Sequence, residues 1–222
     1  LNPQEVFRQI SNITGKLISL SFVDEQNYPS IRDYPEGVTQ IGLKAELDLS
    51  ISLKNISYKE IYTALDQAGA FNVRMMDGAL IQMFYSFKNE IISSHRLAYF
   101  PSPSLEAYQN DPEIYEDDEI YADILSKNVV AFPIRFDFDS NDEIFKAISH
   151  PKSHLTLGQY KNCRIPVSAP LSPIVFVKFI LRSLYATASN AAGELGIAET
   201  SFPNNIHRSE EAIPHLRLTG GA

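Results

Sequence analysis

The chain is expected to fold as an α+β domain, a largely antiparallel sheet of about six or seven strands with helices packed on one face. Three observations carry that expectation. Residues 41–53 alternate without a break: Ile41, Leu43, Ala45, Leu47, Leu49, Ile51 and Leu53 share one parity, and Gly42, Lys44, Glu46, Asp48, Ser50 and Ser52 share the other. A period of two is a strand with one wet face. Residues 71–100 read as three strands separated by Asp77-Gly78 and Lys88-Asn89-Glu90, turns short enough to make the strands antiparallel neighbours. Two helices, over 57–68 and 173–188, supply the apolar faces that cover such a sheet.

In chain order, Val6, Phe7 and Ile10 have helical spacing, and Gly15 interrupts it. A first helix is therefore expected to about Asn12. Residues 24–39, rich in Pro, Asp, Asn and Gly, read as a loop. Ser57 and Glu60 form a capping box, which starts a helix that Gly69 stops. Its inward residues are Tyr58, Ile61, Tyr62 and Leu65. Residues 101–128 read as a long loop, with a short helix around 120–125. Val129–Pro166 then holds most of the reactive side chains. A strand through Phe136 and Phe138 is followed by a second capping box, Ser140 to Glu143, which predicts a short helix to about Ile148. Pro151 ends it, and residues 153–158 form another strand. Ser172 and Pro173 open an apolar helix to about Ala188. Residues 1–192 are expected to form one domain, and the Gly- and Pro-containing residues 193–222 a loop-like arm.

Composition narrows the function. The apolar share is 44%, with 13 Phe and 11 Tyr, which is enough to build a core. The net charge is -8, and nearly all of it falls in one acidic run between Asp111 and Asp123. The body is close to neutral, which argues against a broad basic surface for duplex DNA. The one cysteine, Cys163, excludes an internal disulfide and a cysteine-rich zinc site. It points to a reducing, cytoplasmic location. Glu5, Arg8, Gln9 and Lys16 interrupt the first twenty residues, so no signal peptide is expected. Lys178 and Arg182 make the 174–188 helix unfit to cross a bilayer. No phosphate-binding loop, dinucleotide fingerprint, nucleophile elbow or zinc-protease motif occurs.

The candidate site follows from strand parity. Arg135, Asp137 and Asp139 point one way from their strand, and His154 and Thr156 one way from theirs. If the two strands are neighbours with their apolar faces on one core, these five gather on the opposite face, with His150 at its edge and Lys161 and Arg164 close in sequence. A histidine beside a carboxylate can act as general acid or base, and cations can stabilise a pentavalent phosphate. The expected roles are catalysis by His154 and His150 with Asp137 orienting, and substrate binding by Arg135, Lys161, Arg164 and Thr156. No resident cofactor is expected. The alternatives are a divalent metal on the two carboxylates and two histidines, and an ordinary solvated sheet face. Pro151 denies His150 and His154 the helical geometry of an i, i+4 metal pair. His95 reads as structural, and Cys163 as a small apolar residue.

The block HPKSHLTLGQYKNCRIPVSAPLSPIVFVKFILRSLY, residues 150–185, with RFDFD at 135–139, resembles an uncharacterised bacterial family, domain of unknown function 2290. That resemblance implies a bacterial cytosolic setting. A looser likeness is to small toxins of toxin–antitoxin pairs, which carry an Arg-x-Asp strand, a His-Pro and a second histidine. Arg135, Asp137, His150, Pro151 and His154 would take those places. The resulting expectation is a nucleic-acid-processing effector, ribonuclease-like or a phosphodiesterase, in a toxin or phage-defence setting. Its partners would be RNA or another nucleic acid and a protein such as an antitoxin, with no membrane. The alternative is a non-catalytic subunit that docks a basic partner through the acidic 111–123 segment and the C-terminal arm.

Overall fold

In a computed structural model, the described residues are 1–44, 56–104, 131–160, 162–193 and 195–218. Helix α1 spans Pro3–Ser19, opened by a capping box in which Asn2 and Glu5 exchange side-chain and backbone hydrogen bonds. It runs past the expected stop at Asn12. Val6, Ile10, Ile13 and Leu17 are all fully buried on one face, and that burial outweighs the ~1 kcal/mol that a mid-helix glycine costs. The expected loop over 24–39 instead contains β1 (Val23–Gln26), β2 (Ser30–Tyr34) and the start of β3 (Val38–Gly42). A tight turn joins β2 to β3, with Glu36 and Gly37 both at positive φ. The alternating run from Ile41 leaves strand structure after Gly42, and its residues 45–53 lie outside the described residues. So do the acidic window and the expected helix at 120–125.

Helix α2 is Tyr58–Gln67, with the Ser57–Glu60 capping box formed. Strands β4 (Val73–Met75), β5 (Leu80–Lys88) and β6 (Ile91–Phe100) are the expected meander. Asn89 and Glu90, both at positive φ, make the β5–β6 turn. Then come β7 (Ile134–Asp139), β8 (Ser153–Leu157) and β9 (Ile165–Pro166). All pairings are antiparallel, in the order β1-β4-β5-β6-β7-β8-β9, and β3 adds to the far end of β5 and carries β2. Among the described residues the sheet thus has nine strands, more than the expected six or seven because 24–39 contains strands rather than a loop and the short β9 is added.

The helix expected over 173–188 is two: α3 (Pro173–Leu184) and α4 (Ala186–Ala192), separated at Tyr185, whose φ of -132 and ψ of 48 are not helical. Helices α1 and α3 cover the inner face of the sheet, where Met83, Tyr85, Leu97, Tyr99 and Phe136 meet them in one core. Phe136 sits edge-on to Phe176 and Phe179, which locks β7 onto α3. Helix α2 lies on the opposite face. It covers Leu80, Ala98 and Phe100 in a smaller cluster of its own, so the sheet is not covered on one face alone. The rest of that outer face is the polar side of β5 to β8. The C-terminal arm folds back over the body. Phe202 is buried beside Tyr85 and Phe87, Leu216 bridges Val167, and a short helix α5 spans Arg208–Glu211. No helix among the described residues is long and apolar enough to cross a membrane.

Candidate functional site

Strands β7 and β8 pair with Asp137 opposite His154 and Arg135 opposite Thr156. On the other side β7 pairs with β6, which sets Arg96 opposite Asp137 and Ser94 opposite Asp139. The alternation that buries Phe136 and Phe138 therefore turns Arg96, Arg135, Asp137 and His154 out on one side of the sheet. This polar row floors a cleft of about 720 Å³. The β2–β3 hairpin supplies one rim through Arg32, Ile41 and Leu43. The 144–152 connection and Arg164 supply the other.

The connection that carries His150 is not the expected helix. The Asp139 carboxylate accepts from the Asn141 N–H (2.8 Å), and the Asn141 side chain accepts from the Glu143 N–H (2.9 Å). These consecutive Asx turns capture the backbone donors that a helix start needs. Lys146 and His150 then close a small bridge, with hydrogen bonds of 3.1 and 2.7 Å between their backbones. Inside it Ile148 takes a φ of 70°, a strained position for a β-branched residue. The C-terminal arm braces it. The Glu210 carboxylate, 2% exposed, accepts from the Ile148 N–H (3.4 Å) and the His207 N–H (3.0 Å). The His207 ring packs against Phe145. Glu210→Ala strands both donors, so it is expected to cost about 1–3 kcal/mol. A lowered thermal midpoint, with faster hydrogen exchange at Ile148 than in the wild type, would bear this out; unchanged exchange there would remove the bracing role.

Both histidines hold their rings in the same way. His150 Nδ1 lies 2.8 Å from the Ile144 carbonyl, and His154 Nδ1 lies 3.0 Å from the Pro151 carbonyl. A carbonyl only accepts, so each Nδ1 carries the proton and each neutral ring keeps a bare Nε2. The ring centroids are 5.5 Å apart. Both line the cleft. Burial pulls the His154 pKa below the ordinary 6.5, against the opposing pull of the Asp137 charge. Its ring is therefore neutral at pH 7.

Asp137 stands on the Nε2 side of His154, away from Nδ1. Its Oδ2 lies 2.5 Å from Arg135 Nε and 4.0 Å from His154 Nε2, and its Oδ1 lies 3.4 Å from Arg96 Nε. The Pro151 carbonyl orients His154, while the carboxylate faces the bare Nε2. There it would stabilise the imidazolium that forms when Nε2 takes a proton. It also ties Arg96 and Arg135 to the cleft floor.

Arg164 lines the cleft, with an Nη1 that donates to the Ser149 carbonyl (3.3 Å). Thr156 is buried opposite Arg135 and is not part of the cleft lining. Lys161 lies outside the described residues. Three cations that the sequence did not single out also line the cleft: Arg32, Arg96 and Lys152. Parity alone would have put Arg96 on a polar face. Only the β6–β7 register puts it beside Asp137, and only the β2–β3 hairpin brings Arg32 there. Among the described residues, five Arg and Lys side chains line the cleft against two carboxylates, in a protein of net charge -8. Such a concave concentration of positive charge attracts anions. Among the described residues, no group of three or more His, Cys, Asp or Glu side chains is placed to hold a metal ion. Asp139 is engaged in its Asx turn.

His95 sits behind the cleft, on the core side of β6, with Nε2 accepting from the Leu171 N–H at 3.0 Å. It is 4% exposed and ties the 167–172 segment to the sheet. Cys163 is half-buried, with its Sγ accepting from the Leu157 N–H.

A family model described as an uncharacterized conserved protein, DUF2290, matches residues 22–218. That span includes every side chain of the cleft. No match was found among curated proteins or among solved structures.

Proposed function

The chain belongs to the DUF2290 family, and from the chemistry of its cleft we propose that it cleaves RNA without a metal, as a ribonuclease-like effector in a bacterial toxin or phage-defence setting. One observation carries the reading: two histidines, each with Nδ1 held by a backbone carbonyl so that Nε2 is the atom able to take or give a proton, stand in a cleft lined by four arginines and a lysine. A base and an acid of one residue type, beside fixed cations, suit in-line transfer at a phosphodiester.

In the proposed step, His154 Nε2 takes the proton of a ribose 2′-hydroxyl. The 2′-oxygen attacks the adjacent phosphorus, and the bond from phosphorus to the 5′-oxygen breaks. His150 enters the step as the imidazolium, with a proton on Nε2 as well as on Nδ1, and gives the Nε2 proton to that 5′-oxygen. The products are a 2′,3′-cyclic phosphate and a 5′-hydroxyl, with no change in the number of protons. Asp137 stabilises the His154 imidazolium, and Arg135 and Arg164 offset the charge gathering on the phosphoryl oxygens. The toxin or phage-defence setting rests on the order Arg135-x-Asp137, His150-Pro151 and His154, which is similar to that of small toxins.

The test is incubation of the purified protein with single-stranded RNA in excess chelator. Fragments ending in 2′,3′-cyclic phosphate are expected, with DNA of the same sequence left whole because it lacks the nucleophile. RNA left intact under every buffer condition, or cleavage that the chelator stops, overturns the proposal.

A further inference from the structure

A second hollow lies at the other end of the β7–β8 ladder from the histidines. It holds about 330 Å³ and is lined by Tyr58, Phe132, Pro133, Gly158, Gln159 and Tyr160. We infer that this hollow is a nucleobase subsite, which takes the base of a nucleotide close to the phosphate held in the cleft. The inference rests on the RNA reading of that cleft.

The two aromatic rings that flank the ladder are unusually open for their size: Tyr160 is 76% exposed and Phe132 44%. Neither is needed to close a core, and both are among the largest apolar groups the protein leaves in water. The surrounding backbone is firmly placed. The Gly158 N–H donates to the Pro133 carbonyl at 2.7 Å, so the segments bearing the two rings are held side by side. Gly158 has a φ of +61°, and the Tyr160 ring lies 3.4 Å from where a Gly158 Cβ would stand. The ring therefore lies across the turn rather than extending freely. The Gln159 amide donates to the Ile56 carbonyl (2.9 Å) and ties the turn to the start of α2. Tyr58 closes the third side, its hydroxyl donating to the Pro101 carbonyl.

The position of the hollow identifies its occupant. From the Asp137–His154 row to Pro133 and Gly158 is four residues along the ladder, about 13 Å at the rise of a strand. Arg135 stands between, opposite Thr156. A single strand of RNA whose phosphate lies over the histidines thus passes a cation and then reaches open aromatic faces. Cations that track a backbone, with aromatic rings on which bases stack, are the general arrangement for single-stranded nucleic acid. Among the described residues no charged side chain lines the hollow, which suits the flat, neutral face of a base and not a second phosphate.

The experiment compares two oligomers of equal length and charge. One is a 2′-O-methyl RNA dodecamer, which cannot be cleaved because its 2′-oxygen carries no proton. The other is the same backbone without bases. Fluorescence anisotropy measures both against the wild type and against a Phe132→Ala, Tyr160→Ala double variant. Because both side chains are exposed, the variant is expected to fold, and circular dichroism checks that. The wild type should bind the intact oligomer about tenfold more tightly than the abasic one, the scale of one stacked base. In the variant that ratio should fall towards one. An equal affinity for the two oligomers in the wild type, or an unchanged ratio in the variant, refutes the base subsite. If the abasic oligomer still binds in a salt-sensitive way, the phosphate cleft survives that refutation. If neither oligomer binds, both the cleft reading and the subsite fail. A changed oligomeric mass of the double variant would instead make the hollow a protein contact, and that also overturns the inference.

Discussion

His154→Ala is expected to lower RNA cleavage by roughly 10²–10⁴-fold, the usual contribution of a general base. The loss should fall mainly on the chemical step, because the cations that hold the phosphate are untouched. The substitution also leaves the Pro151 carbonyl without its donor, so a stability loss of about 1–3 kcal/mol accompanies it. Thermal melting alongside the kinetics separates the two effects. An intact fold with an unchanged rate would remove His154 from the mechanism. The pH profile gives a finer readout. Burial lowers the His154 pKa below 6.5, so the base is available at neutral pH, and the rate should fall only as pH drops below that value. The Asp137 charge opposes the burial effect and holds the pKa up. Asp137→Asn should therefore move the acid limb to still lower pH while reducing the maximum rate. A limb that moves to higher pH, or stays where it is, would show that Asp137 does not face the base during turnover.

The second large effect concerns stability rather than chemistry. His95 is buried behind the cleft, and desolvation lowers its pKa to about 4. Its folded form is neutral, with Nε2 accepting from the Leu171 N–H. In the unfolded chain it takes up a proton near 6.5. The unfolded state thus binds more protons between those two values, and stability is lost as pH falls from 6.5 to about 4. The contribution is about 3 kcal/mol across that window. Asp77 works in the opposite direction. Burial raises its pKa, with the Tyr185 hydroxyl donating to it at 2.6 Å, so acidification through its window favours the folded state. Comparing the wild type with His95→Gln isolates the histidine, because glutamine can still accept from Leu171 but does not titrate. Denaturant unfolding at pH 7 and pH 4.5 should show the wild type losing more stability than the variant. Parallel losses in the two proteins would mean that another group controls the acid transition.

The face that floors the cleft was legible in the sequence, and the reason is local. A period of two assigns side chains to faces before any strand is paired. RFDFD and SHLTL are each clean enough to sort themselves, and the pairing of Asp137 with His154 follows once the two strands are adjacent. The Ser57 capping box and the Ser172–Pro173 helix start were legible for the same reason, since each depends on residues within one turn. The 140–148 segment was not, although it carries the same Ser-x-x-Glu spacing. There Asp139 and Asn141 took the backbone donors into Asx turns, a competition between two local solutions that the spacing alone does not decide. Likewise, Gly15 looks like a helix end until the buried stripe from Val6 to Leu17 is seen packed in the core.

By itself, then, the sequence determined the α+β class, the antiparallel meander of residues 71–100, and the face on which Arg135, Asp137, Asp139, His154 and Thr156 gather. Each of these rests on a local pattern: short turns fix the meander, and a period of two sorts each strand's side chains onto one face before the strands pair. The tertiary structure alone decided which carbonyl holds each histidine, that Arg32 and Arg96 join the cleft, and that Glu210 braces the Ile148 turn from the far end of the chain. Those contacts join residues 41 to 62 positions apart, such as Arg96 with Asp137 and Ile148 with Glu210, or depend on a backbone path that local propensity did not favour. Strand order and register bring them together, and neither is encoded in any single stretch.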